Sequence, residues 1–314
     1  VLCEGHLAAA AAGLASKSGP VAILTGFFIP HGEPAAAETD GPPGAATLAR
    51  VLVGLGREVV LLTDLPCEGA MRATAAAAGL EEVELAVAPL EGSSRWCREF
   101  LAGRRDGGGL DHLVVIERVG PSHTVDSMRA QARDGDPPEA EFLERVPAKS
   151  WGCCHNMRAR VIDEWTADVS VLFDELHEFC AEAVTIGIGD GGNEIGMGAV
   201  PWEELVARLP GDHSVRIPCR IATDWNLLAG ISNWGAWALA AAVASEAGRI
   251  DVIEPLTPRW QHELVARMVA EGPGVDGPSG QAVVAVDGLS IEDYLVPWSG
   301  IRSELGFSDP VPGI

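Results

Sequence analysis

The sequence predicts an α/β fold of three layers, a mostly parallel sheet flanked by helices with its site at the strands' C-terminal ends. Three observations predict it. Short apolar runs rich in Val, Ile and Leu recur at residues 21–26, 58–64, 112–117 and 184–188, as strands inside a sheet require. Helical patterns separate these runs, giving the β-loop-α-β order of right-handed parallel crossovers. Acids also gather where the runs end, and open parallel sheets bind ligands beyond those carboxyl ends.

The elements follow in order. Residues 7–14, Ala-rich, read as a helix ahead of the first strand at 21–26. The connection 27–43 is long for an α/β fold and carries His31, Glu33, Glu38, Thr39 and Asp40. Residues 45–55 form an amphipathic helix with Leu48, Val51, Leu52 and Leu55 on one stripe, closed by Gly56. A strand over 58–64 ends in Asp64, and a helix over 71–79 leads to an edge strand over 82–87. Another helix starts at 96–102, and the strand 112–117 ends in Glu117, followed by Arg118 and His123. Residues 133–138 read as an exposed loop, so the single domain spanning 1–314 could divide into two lobes near 133–150. A helix over 168–182 feeds the strand at 184–188. The run 217–222 reads as a strand leading to Asp224, and Ser232 caps a helix through 245. A strand over 282–286 and a helix over 291–305 complete the chain.

Composition narrows the partners. A net charge of −23 and a pI near 4.6 argue against nucleic acid and against anionic membranes. No apolar run is long enough to span a bilayer, and the expected compartment is cytoplasmic. The seven cysteines show no framework spacing, which suggests reduced thiols. Cys153, Cys154 and His155 resemble a zinc or redox cluster, but no second cluster completes one, and they read as small side chains alternating along the backbone. A homodimer is allowed.

The most informative stretch is 183–198, Ala-Val-Thr-Ile-Gly-Ile-Gly-Asp-Gly-Gly-Asn-Glu-Ile-Gly-Met-Gly. Lacking Gly-Lys-Ser/Thr, it is no Walker loop; as a dinucleotide turn it would set Asp190 against the phosphates. A glycine loop holding Asp190 and Glu194 instead points to a metal or a small substrate. Asp64, Glu117, Asp190 and Asp224 all fall at predicted strand ends, with Asp40 and Glu194 nearby, and so define one acidic cleft. Such carboxylates repel one another unless a divalent cation joins them, and an all-oxygen set favours Mg²⁺ or Mn²⁺.

The stretch from Ile188 to Gly198 resembles the signature of the D-glutamate cyclase C-terminal-like family. Glu38-Thr-Asp-Gly-Pro-Pro-Gly44, Ile116-Glu-Arg-Val-Gly-Pro-Ser-His123, Asn156-Met-Arg158, Ile231-Ser-Asn-Trp-Gly235 and Gly274-Val-Asp-Gly277 extend the likeness over most of the chain. The resemblance implies conversion of D-glutamate to 5-oxo-D-proline and water, and places Asp40, Glu117, Asp190 and Glu194 near the chemistry. Those four are the expected metal ligands, with Asp190, Glu194, Glu117 and His123 as the catalytic set. Asn193, Arg118, Arg158, Asn233 and Asp224 are the expected contacts to a small amino-acid substrate. A metal-dependent phosphatase and a non-catalytic metal- or metabolite-binding protein would use the same acids.

Overall fold

A computed structural model of the chain describes residues 2–308. Six parallel strands form the central sheet: β1 (Val21–Thr25), β2 (Val59–Asp64), β3 (Glu84–Ala88), β4 (His112–Ile116), β5 (Val184–Gly189) and β6 (Trp225–Leu228). Their spatial order is β3-β2-β1-β4-β5-β6. The chain steps outward from β1 to β3, then returns to the other side of β1 and steps outward again. Strand order therefore reverses between β1 and β4, where parallel sheets open a crevice at their carboxyl ends.

Side chains alternate across this sheet, and both faces are buried. Val21, Ile23, Val59, Leu61, Val114, Ile116, Ile186 and Ile188 face one core. That core is closed by α1 (His6–Ser16), α2 (Pro42–Gly54), α3 (Glu68–Ala77), α5 (Ser232–Glu246), α6 (Pro258–Glu271) and α7 (Ile291–Glu304). Ala22, Leu24, Val60, Leu62, Leu113 and Val115 face the other, closed by α4 (Ser93–Asp106) and by Leu172 and Leu176. The three layers are those the sequence implies. Each fully buried aliphatic side chain contributes about 1.5–3 kcal/mol by leaving water, so the sheet is a rigid platform for whatever its upper edge carries.

The long connection after β1 is built, not loose. Phe28–Ile29 and Ala36–Glu38 pair with Gly274–Val275 in a small three-stranded sheet, and the Thr39 amide donates to Val275 O at 2.9 Å. This sheet carries Glu38 and Asp40 over the crevice. Helix α2 begins at Pro42, earlier than the hydrophobic stripe implies, because proline suits the first helical turn.

Two segments differ from expectation. Residues 168–182 form short helical turns at Val171–Asp174 and Leu176–Phe179 rather than one helix. Residues 217–222 are not a strand; β6 starts at Trp225, so Asp224 precedes its strand instead of ending one. All seven cysteines are free thiols.

Candidate functional site

Three carboxylates meet at the crevice. Asp40 arrives from the loop after β1, Glu117 from the end of β4 and Asp190 from the end of β5; one oxygen of each lies within 4.8 Å of the others. Asp40 is fixed at the N-terminus of α5. It accepts from the backbone amides of Asn233 (2.8 Å) and Gly41 (3.0 Å) through one oxygen and of Ser232 (2.9 Å) through the other. A helix N-terminus presents free N–H groups and partial positive charge, and a carboxylate satisfies both. Glu117 sits at φ +45°, an uncommon conformation for a side-chain-bearing residue. Its amide donates to Ile188 O at 3.1 Å, and its carboxylate accepts from the Ser232 hydroxyl at 2.6 Å. Gly41 makes the approach possible: a Cβ there would fall 2.6 Å from Thr25 Oγ1 and 2.9 Å from Glu117 Cβ, at φ +97°.

Further acids surround the three. Glu38 lies close enough to hydrogen-bond Glu117, and it feels Asp40, Asp190 and Asp287. Asp287, at φ +51° in the turn of the Ala285–Val286/Leu289–Ser290 hairpin, faces the same space. Its Val-Asp-Gly context reads in the sequence only as a hairpin turn, so the signal marked a turn and not a ligand.

The electrostatics are lopsided. Burial first, and then repulsion from neighbouring carboxylates, pushes Glu38 and Glu117 well above the ordinary carboxylate range. Asp40 is raised to about 7 by burial, which its amide partners only partly offset. Asp190 is raised by desolvation, then by Glu117, Glu194, Asp40 and Asp287. Solvent does reach Asp190. Protein crowded around it, not enclosure, removes its water. Four hard oxygen donors that cannot all ionise together fit a divalent cation of the Mg²⁺, Mn²⁺ or Ca²⁺ kind.

The sequence profile of the family described as D-glutamate cyclase-like, C-terminal, matches residues 1–136 and 140–296. The chain belongs to that family. It is 31% identical over 249 residues to the mitochondrial D-glutamate cyclase of Homo sapiens, covering 77% of this chain and 35% of that protein. It thus spans about a third of the relative's length.

The other residues singled out from this family member's sequence divide clearly. Glu194 adjoins the trio and anchors its own loop: its two oxygens accept the Gly191 and Gly192 amides at 2.8 and 2.7 Å, one each. It holds the turn that presents Asp190. Asn193 donates to His155 O at 2.8 Å, and its buried side-chain oxygen has no partner. Asn233 locks the Asp40 loop to α5, accepting from Gly41 and Gly44 and donating to Thr39 O. It is fully buried, and its hydrogen bonds hold the Asp40 loop in place.

Arg118 points away from the cleft. It pairs with Asp64 at 2.6 Å and donates to Gly26 O and Ala167 O, so neither member of this buried pair reaches the trio. Asp224 lies at the opposite, N-terminal edge of the sheet, where it accepts from the Thr185 amide and hydroxyl. His123 is buried against Ser127, and its charged neighbours are Arg133 and Arg220, not the acids; burial lowers it to about 4. Arg158 is exposed beside the Gly191 turn.

A cavity of about 340 Å³ lies elsewhere, between α1, β6 and α5, lined by Leu2, Leu7, Leu228 and Trp234. None of the site acids lines it. Converging carboxylates carry more chemical information than the volume of an apolar groove, and the trio remains the candidate site. Among the described residues no helix is long and apolar enough to cross a membrane.

Proposed function

We propose that this protein is a metal-assisted D-glutamate cyclase-type lyase that closes D-glutamate to 5-oxo-D-proline with loss of water. The observation that carries the reading is the convergence of Asp40, Glu117 and Asp190 within 4.8 Å at the crevice where strand order reverses, in a chain of this family.

Asp40, Glu117 and Asp190 would hold the cation, which when bound supplies Lewis-acid polarisation of the substrate's side-chain carboxylate. The residues themselves do the rest. In the reaction the substrate amine forms a bond to its own side-chain carboxyl carbon, and one oxygen of that carboxyl leaves as water. Starting from the ammonium and the carboxylate, the nitrogen must lose two protons in all and the departing oxygen must gain two. Glu38, next to the three and not one of the cation's ligands, is raised by burial and by its carboxylate neighbours and is suited to hold and pass a proton. Asp190 is the member that solvent, and therefore substrate, can reach. Glu194 keeps it in place through the Gly191–Gly192 turn. The rigid crevice contributes by holding a flexible chain folded back on itself, since orientation can account for a large part of a cyclisation barrier.

The test is direct. Incubation with D-glutamate and Mn²⁺ or Mg²⁺, followed by chiral chromatography, should reveal 5-oxo-D-proline, and Asp190→Asn and Glu117→Gln should abolish it. Product formation that persists in both variants would refute the assignment.

A further inference from the structure

A hairpin bearing Arg158 and Arg160 packs against the loop that carries Asp190. Residues 155–161 close into a tight hairpin: His155 and Val161 bridge, and the Asn156 side-chain oxygen accepts from the amides of Arg158 (3.0 Å) and Arg160 (3.1 Å). Ala159 adopts φ +53° at the tip. This hairpin rests on the catalytic loop, because Met157 Sδ lies 2.8 Å from where a Cβ on Gly191 would stand. A larger residue at 191, next to Asp190, would push the tip away.

The hairpin also touches the far wall. Arg158 Nη2 donates to Pro278 O at 3.3 Å, and the neighbouring Gly277 packs so closely on Glu38 that a Cβ would fall 2.3 Å from Glu38 Oε2. The turn bearing His31 closes the third side. Glu33 N donates to Gly280 O at 2.7 Å, and Gly32 packs on Gly280, so His31 stands over the same 276–281 loop. Partial desolvation, and after it the charges of Arg158 and Arg160, lower the His31 imidazole below its ordinary value. The imidazole thus stands within electrostatic reach of both guanidinium groups.

These cations are distinguished by their place beside the Asp190 loop. Most of its arginines pair with a carboxylate, yet Arg158 and Arg160 pair with none among the described residues. In a protein of net charge −23, with unneutralised acids next to the hairpin, two arginines remain open at the rim. A guanidinium fork matches a carboxylate by two parallel hydrogen bonds.

We infer that Arg158, Arg160 and His31 form an anion subsite at the rim of the acidic cleft, which takes the α-carboxylate of a small amino dicarboxylate while its other carboxylate lies over Asp40, Glu117 and Asp190. The inference rests on the cyclase reading and sharpens it. A compound with only one carboxylate would lack the rim contact, so the site selects amino dicarboxylates over ω-amino monocarboxylates. Arg158 and Arg160 thus act on substrate affinity, and the cluster below acts on turnover.

The test uses the whole chain loaded with Mn²⁺ and two probes, D-glutamate and 4-aminobutyrate, which differ by the α-carboxylate alone. Calorimetric titration should show D-glutamate binding roughly 10-fold or more tightly, as expected when a site lacks its charged partner. In Arg158→Gln/Arg160→Gln that preference should shrink to about 3-fold or less with 4-aminobutyrate affinity unchanged, and Arg158→Lys should keep part of it. Both arginines are at the surface, so melting temperatures should match wild type and report intact folding. In turnover the double variant should raise KM for D-glutamate about 10-fold with kcat nearly unchanged.

D-Glutamate affinity unchanged in the double variant would overturn the subsite, as would equal affinity for the two probes in wild type. The two readings fail separately. Arg158-dependent binding of D-glutamate, D-aspartate or glutarate without any 5-oxoproline would keep the subsite and remove the cyclase reading. Product formation at wild-type KM in the double variant would keep the cyclase reading and remove the subsite. Binding of no dicarboxylate at all would remove both.

Discussion

Removing metal and raising pH should destabilise this protein over a defined interval, and the site supplies the magnitude. Asp40 has its carboxyl raised from 3.8 to about 7 by burial. A group raised in this way holds its proton in the folded chain where the unfolded chain has lost it. The stability it lends is full below about pH 4 and disappears as pH climbs through the folded value. Between pH 6.5 and 8 the unfolded chain is fully ionised at this position, and integrating the proton difference gives a loss of about 1 kcal/mol from Asp40 alone. Glu38 and Glu117 are raised in the same direction and add to that loss. Asp190 faces solvent and is left out of the sum. Two buried histidines act in the opposite sense. His112 and His123, lowered to about 4, are neutral in the folded chain but half protonated in the unfolded chain at pH 6.5. Each returns about 0.4 kcal/mol by pH 8, so together they offset most of the Asp40 loss and leave Glu38 and Glu117 to set the net fall.

For a chain of this size, 1 kcal/mol corresponds to roughly 2 °C in melting temperature. With the Asp40 and histidine contributions nearly cancelling, the metal-free melting temperature should still fall from pH 6.5 to 8 by the share of Glu38 and Glu117. A cation competes with protons for the same oxygens, so its effect must grow with pH. At about 100 times its dissociation constant it adds roughly 2.7 kcal/mol. The assay is differential scanning fluorimetry in EDTA and in Mn²⁺ at both pH values. A metal-free melting temperature that stays level or rises, or a Mn²⁺ increment equal at the two pH values, would refute the carboxylate-cluster reasoning.

Three further outcomes follow from the same geometry. On the acid side, buried His112 and His123 must take up protons on unfolding; their lowered values mean stability present above pH 6.5 and lost toward pH 4. Each works against the carboxylate cluster by about 2 kcal/mol at pH 5, so the urea midpoint of His123→Gln, compared with wild type at the same pH, should shift in the variant's favour from pH 7 to pH 5. Arg118→Met leaves Asp64 charged and buried, which should cost about 3–5 kcal/mol by urea titration, with much of it restored in Arg118→Met/Asp64→Leu; a substrate contact would instead change KM at constant stability. Tyr294→Phe removes a buried hydroxyl that senses Asn233 and Asp40 yet lies outside hydrogen-bond geometry, so stability should stay level or rise by up to about 1 kcal/mol.

The strands of the sheet were legible where burial is two-sided. Residues 21–26, 58–64, 112–117 and 184–188 are apolar without alternation because both faces of β1, β2, β4 and β5 are covered. The last strand was not legible. β6 is an edge strand whose Trp-Asn-Leu-Leu sequence is partly exposed, while the neighbouring 217–222 has the more strand-like composition but lies outside the sheet. Residues 168–182 failed for a different reason. Leu172, Leu176 and Cys180 recur at helical spacing because they pack on one face, and side-chain spacing does not reveal that the backbone breaks at Glu175.

The site divides along the same physical line. Sequence identifies carboxylates at strand ends, but not which donors the fold will set against them. Asp64 looked equivalent to Glu117, yet Arg118 claims it; Asp224 looked equivalent to Asp190, yet Thr185 claims it. Glu194 gives both oxygens to the amides of its own loop. Asp40 shows that claims need not exhaust a carboxylate: it accepts three backbone amides and still directs an oxygen toward Glu117 and Asp190, because two oxygens offer about four lone-pair positions. What a carboxylate can still offer is therefore set by the lone pairs left over after the fold has been satisfied, for Glu194 with two amides as for Asp40 with three. In this chain those remainders converge at one place, the crevice between β1 and β4, where the reversal of strand order leaves no strand or helix to take them up.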